Sequence, residues 1–289
     1  MSANKKFGVI GGDVRQIYAA EQLIKMGYQV KIAGFDNQNE PKSNTQNLGV
    51  FEVIDSSNYI IFPVPVSRDT LNINAPFSVS PIPINGYLLS KLENKVVFGG
   101  IISPLLQGVN NPKFILKDYY AREDFMVLNA VPTAEGAIKI ILSETNKTIF
   151  GSKCLVIGYG RIGKVIARLL KNLGASVTVS LRNSRDFSWA KLENFEIINV
   201  SENDKNLNFD FVLNTVPAMV LNYENLKFLN RDALIVDVAS APGGVNKPDA
   251  EKLGIRVISA LGLPGKHFPK SAGEIITETV LKILKEENL

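Results

Sequence analysis

Apolar and polar residues alternate in short runs along the whole chain, and each run predicts a strand or a helix. In the first half, an apolar stripe over residues 14–26 predicts a helix, and four apolar runs predict strands. The four runs cover residues 6–11, 29–34, 58–64 and 95–100. The proline-rich segments at 63–70 and 74–87 predict loops or sheet edges, because proline cannot donate a ladder hydrogen bond.

The second half follows a more regular pattern. The segment PTAEGAIKIILSETNKT predicts a helix that begins at Pro132, with Thr133 as a candidate N-cap. Six strand-like runs follow Gly151, which is the number in a complete dinucleotide-binding fold. They cover residues 153–158, 176–181, 195–200, 210–216, 233–239 and 255–261. A final amphipathic helix is predicted over 272–287.

Strands that alternate with helices in this way predict an α/β protein with parallel sheets. We expect two Rossmann-like parallel-sheet domains with a cleft between them. The predicted division is a substrate domain of residues 1–131 and 272–289, a bridging helix at 132–150, and an NAD(P)-binding domain at 151–271.

Composition narrows the class of protein. The 289 residues are 45% apolar, and Lys and Arg exceed Asp and Glu by only 32 to 28, so we expect no nucleic-acid partner. Cys154 lies in an apolar strand and, as the single cysteine, cannot form an internal disulfide. We find no signal peptide and no uninterrupted apolar stretch of about 18 residues, so we expect a cytoplasmic protein without a membrane segment. One histidine and one cysteine make no recognisable ligand spacing, so no metal site is expected.

The clearest chemical motif is G-x-G-x-x-G within GYGRIGK, which follows one predicted strand and opens a predicted helix. The first glycine allows a tight turn, the second leaves room for a pyrophosphate, and the third allows close packing of helix on strand. The helix N-terminus favours the negative phosphates. The predicted cofactor contacts within the motif are Gly158, Gly160, Arg161, Ile162 and Gly163.

The second strand of this domain ends without the acidic residue by which NAD-binding folds hold the ribose hydroxyls. The segment reads VTVSLRNSRDF, and the guanidinium of Arg182 suits a 2′-phosphate. We therefore expect NADP in preference to NAD, and the alternative is that Asp186 reaches a ribose. The predicted contacts in this segment are Ser180, Arg182, Asn183 and Arg185.

Two further strand ends complete the predicted cofactor rim, because ligands bind at the carboxyl ends of parallel strands. The predicted contacts are Thr215, Val216 and Pro217 after the fourth strand, and Asp237 and Ser240 after the fifth. For Val216 and Pro217, a strand end that turns into a helix is an equally simple interpretation.

The first glycine turn of the chain has a different spacing. GVIGGDVRQ gives G-x-x-G-G, and Asp13 occupies the cap region, where a carboxylate would repel a pyrophosphate unless it bonds to helix amides. We expect Arg15 to hold a substrate carboxylate there, with Gln16 as a further donor. The alternative is an ordinary capped surface helix with a solvated arginine.

Four segments together resemble the family of dipicolinate synthase A subunits from spore-forming bacteria. They are GGDVRQ at 11–16, LNAVPTAEGAI at 128–138, GYGRIGK at 158–164 and ALGLPGKHFPKSAGEII at 260–276. The resemblance covers nearly the whole chain and implies the two-domain plan of the formate and D-2-hydroxyacid dehydrogenases. It further implies an NADP-dependent oxidation, with dehydration, of the dihydrodipicolinate synthase product to dipicolinate in the mother cell during sporulation. The implied partner is the flavoprotein-like B subunit of dipicolinate synthase, and a homo-oligomer is expected.

Such chemistry needs a hydride acceptor, contacts for two carboxylates and a group that exchanges a proton. Lys270 stands in PKSAGE, where the related D-2-hydroxyacid dehydrogenases have a Pro-His pair that supplies the acid–base histidine. We expect Lys270 or the single histidine, His267, to fill that role. Further expected substrate contacts are Thr133, Glu135 and Lys266. Two alternatives stay open: a D-2-hydroxyacid- or alanine-type dehydrogenase, and a regulatory protein that binds NADP without catalysis.

Overall fold

Each half of the chain folds around a parallel sheet, which confirms the predicted α/β class. The computed structural model describes residues 5–38, 47–106, 112–200 and 207–289. Contacts between residues divide the chain into unit 1, which comprises Met1–Asn129 and Phe268–Leu289, and unit 2, which comprises Ala130–His267.

The described residues of unit 1 contain five parallel strands. They are β1 (Lys6–Ile10), β2 (Gln29–Ala33), β3 (Tyr59–Ile61), β4 (Val96–Gly99) and β5 (Ile115–Asp118), in the order β2-β1-β3-β4-β5. The helices are α1 (Val14–Lys25), α2 (Val50–Ser56), α3 (Gly86–Lys91), α4 (Ser103–Leu106) and, at the end of the chain, α11 (Pro269–Glu286). The strand β5 was not predicted, because its residues ILKD are only partly buried at the edge of the sheet and lack an apolar run.

Alternation along β1 sends side chains to both faces of the unit 1 sheet. Phe7 and Val9 join a buried cluster that includes residues of α1 and α11, whereas Ile10 joins a second buried cluster with residues of α2 and α3. Both faces are therefore covered, which parallel sheets require.

The helices α1 and α11 pack side by side and run in the same direction. A Cβ on Gly273 would lie 2.5 Å from the carbonyl oxygen of Arg15, and Thr277 Oγ1 donates to the carbonyl oxygen of Ala19 at 3.1 Å. The contacts thus advance by the same interval along both helices. Their N-terminal ends consequently lie at the same edge of unit 1, the edge where β1 ends.

Unit 2 contains all six strands that the pattern predicts. They are β6 (Lys153–Ile157), β7 (Ser176–Ser180), β8 (Glu196–Ile198), β9 (Phe211–Asn214), β10 (Leu234–Asp237) and β11 (Arg256–Ser259), in the order β11-β10-β9-β6-β7-β8. The helix α5 (Glu123–Glu144) begins in unit 1 and continues into unit 2 from Ala130. The other helices of unit 2 are α6 (Arg161–Asn172), α7 (Ser184–Leu192), α8 (Tyr223–Leu226), α9 (Lys247–Lys252) and α10 (Leu263–His267). Alternate residues of β6 face two buried clusters, so both faces of this sheet are also covered.

The helix α5 corrects one prediction. It begins at Glu123 rather than at Pro132, so Pro132 lies within the helix and Thr133 is not an N-cap. A proline inside a helix deprives the carbonyl four residues earlier of its partner. That carbonyl belongs to Leu128, which is an exposed residue. The acidic residues Glu123 and Asp124 instead occupy the first turn, where negative charge stabilises a helix.

Among the described helices, α5 is long and apolar enough to cross a membrane by length and composition. Half of its most apolar window is buried inside the fold, as in the core helix of a folded domain. The C-terminal helix also begins earlier than predicted, at Pro269 with Phe268 as its N-cap.

Candidate functional site

A glycine turn leads from β6 into α6. Gly158 has a φ of +91°, a left-handed conformation that favours glycine, and its amide donates to the carbonyl oxygen of Ser180 at 2.8 Å. A Cβ on Gly163 would lie 2.1 Å from the carbonyl oxygen of Gly158, whereas a Cβ on Gly160 would meet nothing within 4 Å. The turn, the close packing and the open space that the spacing predicts are therefore all present.

The N-terminus of α6 has no side-chain cap. Gly160 occupies the cap position and has no side chain with which to accept a hydrogen bond from the first turn. Amides in the first turn of a helix have no partner within the helix, so a capping side chain, water or a ligand must satisfy them. This arrangement is typical of an anion-binding helix end and fits the pyrophosphate of a dinucleotide.

A cavity of about 320 Å³ adjoins this turn at the carboxyl ends of β6, β7 and β9. The strand order reverses between β6 and β9, and nucleotides bind beside such a reversal in open α/β sheets. The predicted contacts that line the cavity are Gly158, Gly160, Ser180, Arg182, Asn183, Thr215, Val216 and Pro217. The lining residues that were not predicted include Tyr159, Leu181, Val200 and Val220. Val200 follows the end of β8, so the strand-end rule that selected the others would have found it.

Six predicted cofactor contacts lie outside the cavity lining. They are Arg161, Ile162, Gly163, Arg185, Asp237 and Ser240. Ile162 packs against the buried core of unit 2, Gly163 lies beneath the turn, and Arg185 is exposed on α7.

The segment after β7 forms a polar side of the cavity. The Asn183 carboxamide oxygen caps α7 by accepting from the amide of Asp186 at 2.7 Å, and Asn183 Nδ2 donates to Asp186 Oδ2 at 2.6 Å. Asn183 therefore lines the cavity with its side chain already bonded. Arg182 also lines the cavity and is the positively charged residue among the described lining residues.

Asp186 is the acidic residue of that lining. Its Oδ1 atom lies 3.4 Å from Lys164 Nζ, and its side chain is only 10% exposed. The Lys164 ammonium also lies 5.5 Å from the centre of the Tyr159 ring and 5.9 Å from that of Trp189. Oδ2 of Asp186 therefore accepts a hydrogen bond from Asn183, whereas Oδ1 is buried beside the Lys164 ammonium and makes no hydrogen bond to the residues described.

The end of β10 corrects a prediction. Asp237 is 4% exposed, and its carboxylate accepts from Asn214 Nδ2 at 2.8 Å and from the backbone amides of Ala239 and Gly244. The same Asn214 amide group donates to the carbonyl oxygen of Val216 at 3.0 Å. Asp237 therefore holds two loops together instead of facing a ribose, because its carboxylate satisfies buried donors that would otherwise have no partner.

The glycine turn of unit 1 is closed to a phosphate. The amide of Gly11 donates to the carbonyl oxygen of Ala33 at 2.9 Å, and the amide of Gly12 donates to that of Asn74 at 2.7 Å. Asp13 caps α1 by accepting from the amide of Arg15 at 3.0 Å. Its carboxylate therefore bonds to a helix amide, as expected for a carboxylate in the cap region. Backbone carbonyls and a carboxylate therefore occupy the donors that a phosphate would need.

The Arg15 guanidinium, the predicted carboxylate contact, is bonded largely within unit 1. Arg15 Nε donates to Asp13 Oδ1 at 2.8 Å, and Arg15 Nη2 donates both to Asp13 Oδ2 and to the carbonyl oxygen of Val64 at 2.9 Å. Burial opposes the charged guanidinium, but the hydrogen bonds and charge of Asp13 outweigh it and raise the pKa of Arg15. The nitrogen Nη1 has no hydrogen-bond partner within the described part of the chain.

Gln16 also differs from its prediction, because it is completely buried. Its carboxamide lies beneath Gly12, where an added Cβ would come within 2.5 Å of Gln16 Oε1. Neither polar atom of this carboxamide makes a hydrogen bond to the residues described. Tyr119 is fully buried in the same unit and donates to the carbonyl oxygen of Phe62 at 3.0 Å. Burial raises the pKa of Tyr119 far above its ordinary range, and the nearby charge of Arg15 opposes that rise.

Unit 1 brings Lys270 toward Arg15. Lys270 is exposed in the first turn of α11, one turn before Gly273, and Gly273 packs directly on the backbone of Arg15. Because the two helices are parallel, Arg15 and Lys270 belong to the same edge of unit 1. The structure thus places two predicted substrate-site cations at one end of a single unit.

The other predicted site residues lie in unit 2. Thr133 is buried within α5, Glu135 is exposed on it, and Lys266 and His267 end α10. Burial first, and then the positive charges of Lys139 and Lys266, lower the pKa of His267 from its ordinary value of 6.5. Among the described residues there is no group of three or more His, Cys, Asp or Glu side chains that could hold a metal ion.

Two family descriptions match the chain. The family of the N-terminal domain of the dipicolinate synthase A subunit matches residues 6–115, and the family described as D-isomer specific 2-hydroxyacid dehydrogenase, NAD binding domain matches residues 133–249. Unit 2 therefore carries an NAD(P)-binding domain of the dehydrogenase type.

Individual relatives extend the likeness over the whole chain. The A subunit of dipicolinate synthase from Bacillus subtilis (strain 168) is 33% identical over 295 residues, which cover 99% of this chain and 98% of that protein. The crystal structure of the dipicolinate synthase A subunit from Bacillus halodurans has a TM-score of 0.85 and 28% identity, and covers 98% of this chain and 99% of its own. The transhydrogenase structure from Sinorhizobium meliloti covers 97% of this chain and 94% of its own at a TM-score of 0.67, and its 14% identity shows a likeness of fold alone.

Proposed function

The chain belongs to the family of dipicolinate synthase A subunits, and from this membership we propose that it oxidises the dihydrodipicolinate synthase product, with dehydration, to dipicolinate. We place this reaction in the mother-cell cytoplasm during sporulation, with NADP as the hydride acceptor. The observation that carries the proposal is the cavity of about 320 Å³ beside the uncapped N-terminus of α6.

The residues of this cavity fit a dinucleotide. Gly160 leaves open space where a Cβ would stand, and Gly163 lets α6 pack closely on the turn. When bound there, a nicotinamide supplies a hydride acceptor. The chain's own contribution is to offer helix amides to the pyrophosphate and the Arg182 guanidinium to a 2′-phosphate, since Arg182 lines the cavity and the end of β7 has no acidic residue.

The substrate needs cations, because the ring product carries two carboxylates. Arg15 keeps two Nη1 donors beyond those that Asp13 and Val64 use, and Lys270 lies at the same edge of unit 1 with an exposed ammonium. We assign Arg15 to one carboxylate as a monodentate donor, and Lys270 either to the other carboxylate as an ammonium or, once it has lost its own proton, to the proton that leaves the ring. His267 is the second candidate for proton transfer, because its lowered pKa keeps the imidazole neutral and able to accept a proton at pH 7.

We also propose a partner polypeptide, because the relatives that align with nearly the whole chain are named as the A subunit of their synthase. We propose that the partner is the flavoprotein-like B subunit and that the chain forms a homo-oligomer. Product formation with and without the partner then separates catalysis by this chain from catalysis by the complex.

The test supplies purified protein with freshly made dihydrodipicolinate synthase product and either NADP or NAD, with and without the partner protein. Reduced cofactor and the absorbance of the pyridine product report the two halves of the reaction. We expect both signals, and stronger with NADP. Binding of NADP without product in any combination would overturn the catalytic proposal and favour a regulatory role.

A pair of arginine variants tests the choice of cofactor. Arg182→Ala removes the guanidinium that lines the cavity and should weaken NADP binding by about 10- to 100-fold, the usual worth of a charge-assisted hydrogen bond, with little effect on NAD. Arg185→Ala is the matched control, because Arg185 lies three residues further on, exposed and outside the lining. Equal effects of the two substitutions, or equal losses for NADP and NAD in Arg182→Ala, would refute the argument for NADP.

A further inference from the structure

The unit 2 cavity contains a carboxylate that should reject a 2′-phosphate. Asp186 lines the cavity together with Arg182 and Asn183, the residues that follow β7. A negative phosphate beside an unpaired carboxylate loses affinity through like-charge repulsion, which a site of low exposure strengthens. By contrast, a carboxylate in this neighbourhood favours the free hydroxyls of an NAD ribose.

Two side chains of the protein contact this carboxylate. Asn183 Nδ2 donates to Oδ2 at 2.6 Å, and the Lys164 ammonium lies 3.4 Å from Oδ1. The side chain of Lys164 is 26% exposed and that of Asp186 is 10% exposed, so bulk water screens the pair only weakly.

The position of Lys164 is itself fixed. It stands in the first turns of α6, four residues after the cap glycine, and its ammonium lies near the rings of Tyr159 and Trp189. Cations bind to the faces of such rings, so the two aromatic contacts keep Nζ close to Asp186. Lys164 is not among the residues that line the cavity, so we expect its ammonium to act on a bound phosphate through Asp186 and not by direct contact.

We propose that Lys164 is a positioning residue for cofactor choice, which neutralises Asp186 and so allows the cavity to accept a 2′-phosphate beside Arg182. The inference rests on the proposed nucleotide site, and it adds to that site a pair of residues that determines specificity. Without Lys164, the charged carboxylate of Asp186 should make the same cavity prefer NAD to NADP.

The test measures dissociation constants for NADP and NAD by titration calorimetry on the full-length protein, with the unfolding temperature recorded for each variant. Lys164→Met should lower the preference for NADP over NAD by about tenfold or more, the usual effect of losing one nearby opposite charge. Asp186→Asn should keep or raise that preference. The double variant should show the preference of Asp186→Asn alone, because Lys164 then has no charge to neutralise.

Two further variants separate charge from structure. Lys164→Arg keeps a cation near Asp186 and should keep most of the NADP preference. Lys171→Met is the matched control, since it removes a lysine from the same helix whose ammonium bonds instead to the carbonyl oxygen of Glu193. This control should leave the ratio of the two affinities unchanged.

Three results would overturn the proposal. An unchanged ratio of NADP to NAD affinity in Lys164→Met contradicts it. An equal loss of NADP preference when Lys164→Met is made in the wild type and in Asp186→Asn also contradicts it, because Lys164 would then contact the phosphate directly. If Lys164→Met fails to fold, Asp186→Asn still tests the proposal. A lower NADP preference in Asp186→Asn would contradict it, because removing a repulsive carboxylate should not weaken NADP binding. A wild-type protein that binds neither nucleotide refutes the proposed site instead, and wild-type binding with unchanged ratios in all variants refutes only the role of the pair.

Discussion

Replacing two glycines of the G-x-G-x-x-G motif by alanine should have different effects. Gly163→Ala should destabilise the fold, and Gly160→Ala should weaken cofactor binding. In Gly163→Ala, the new Cβ would stand 2.1 Å from the carbonyl oxygen of Gly158 and 2.9 Å from its carbonyl carbon. In Gly160→Ala, the new Cβ would meet no protein atom within 4 Å, and the φ of −77° at that position is ordinary for alanine. One substitution therefore perturbs the fold, and the other fills only the space that a ligand would use.

The expected magnitudes follow from these distances. A contact of 2.1 Å to a backbone oxygen is about 1 Å too short, and the turn cannot rotate away as a side chain could, so overpacking should cost about 3 kcal/mol. In a chain of this size that loss lowers the unfolding temperature by roughly 6–12 °C. Gly160→Ala should instead raise stability by about 0.4–1 kcal/mol, because alanine reduces the entropy of the unfolded chain. Its NADP affinity should fall by about 10- to 100-fold, because the methyl group prevents the pyrophosphate from reaching the helix amides.

Differential scanning fluorimetry without nucleotide and titration calorimetry with NADP measure the two effects on the same samples. Each variant serves as the control for the other. Wild-type NADP affinity in Gly160→Ala would refute the assignment of the pyrophosphate to this turn. A wild-type unfolding temperature in Gly163→Ala would refute the close packing of α6 on the turn.

Three other properties of unit 2 can be measured directly. Asp237→Ala leaves several buried donors without their acceptor and should destabilise the protein by about 1–3 kcal/mol, which chemical denaturation measures; an unchanged midpoint would mean that water replaces the carboxylate. His267 should titrate below pH 6.5, because burial and the charges of Lys139 and Lys266 favour the neutral ring, and Lys266→Met should move the midpoint upward. Since the folded pKa lies below the unfolded one, this group disfavours folding as the pH falls below 6.5, and the single imidazole signal in NMR spectra reports the titration. Cys154 should resist alkylation in the native protein, because burial raises the pKa of its thiol to about 11; rapid labelling at neutral pH without denaturant would contradict that burial.

The sequence predicted unit 2 better than unit 1 for a physical reason. All six strands of unit 2 are apolar runs separated by helices, and the predicted ranges overlap every observed strand. The edge strand β5 was not predicted, because a partly buried strand needs few apolar residues and so shows no apolar run in the sequence. The start of α5 was not predicted, because proline is common in the first turn of a helix and Pro132 lies instead in the interior of this one.

The candidate site divides in the same way. Positions that depend on the backbone, such as the turn at Gly158 and the close approach at Gly163, follow from the spacing of the motif and were predictable. Positions that depend on side-chain partners were not predictable, because partners far apart in the sequence leave no periodic signal. Asp237 was predicted to contact the cofactor, but it is buried and its carboxylate accepts a hydrogen bond from Asn214 on a neighbouring strand.

The two glycine turns differ in what they leave for an anion. In unit 1, the amides of Gly11 and Gly12 donate to backbone carbonyls, and Asp13 caps α1, so an anion there can be held only by side chains. In unit 2, Gly160 leaves the first turn of α6 without a side-chain cap, so an anion there can be held by the backbone itself. Most substitutions leave a backbone amide donor in place and only proline removes it, whereas any uncharged residue removes a cation of unit 1. A change of substrate is therefore expected from substitutions at Arg15 or Lys270, and a loss of the pyrophosphate contact from a residue that fills the space at Gly160.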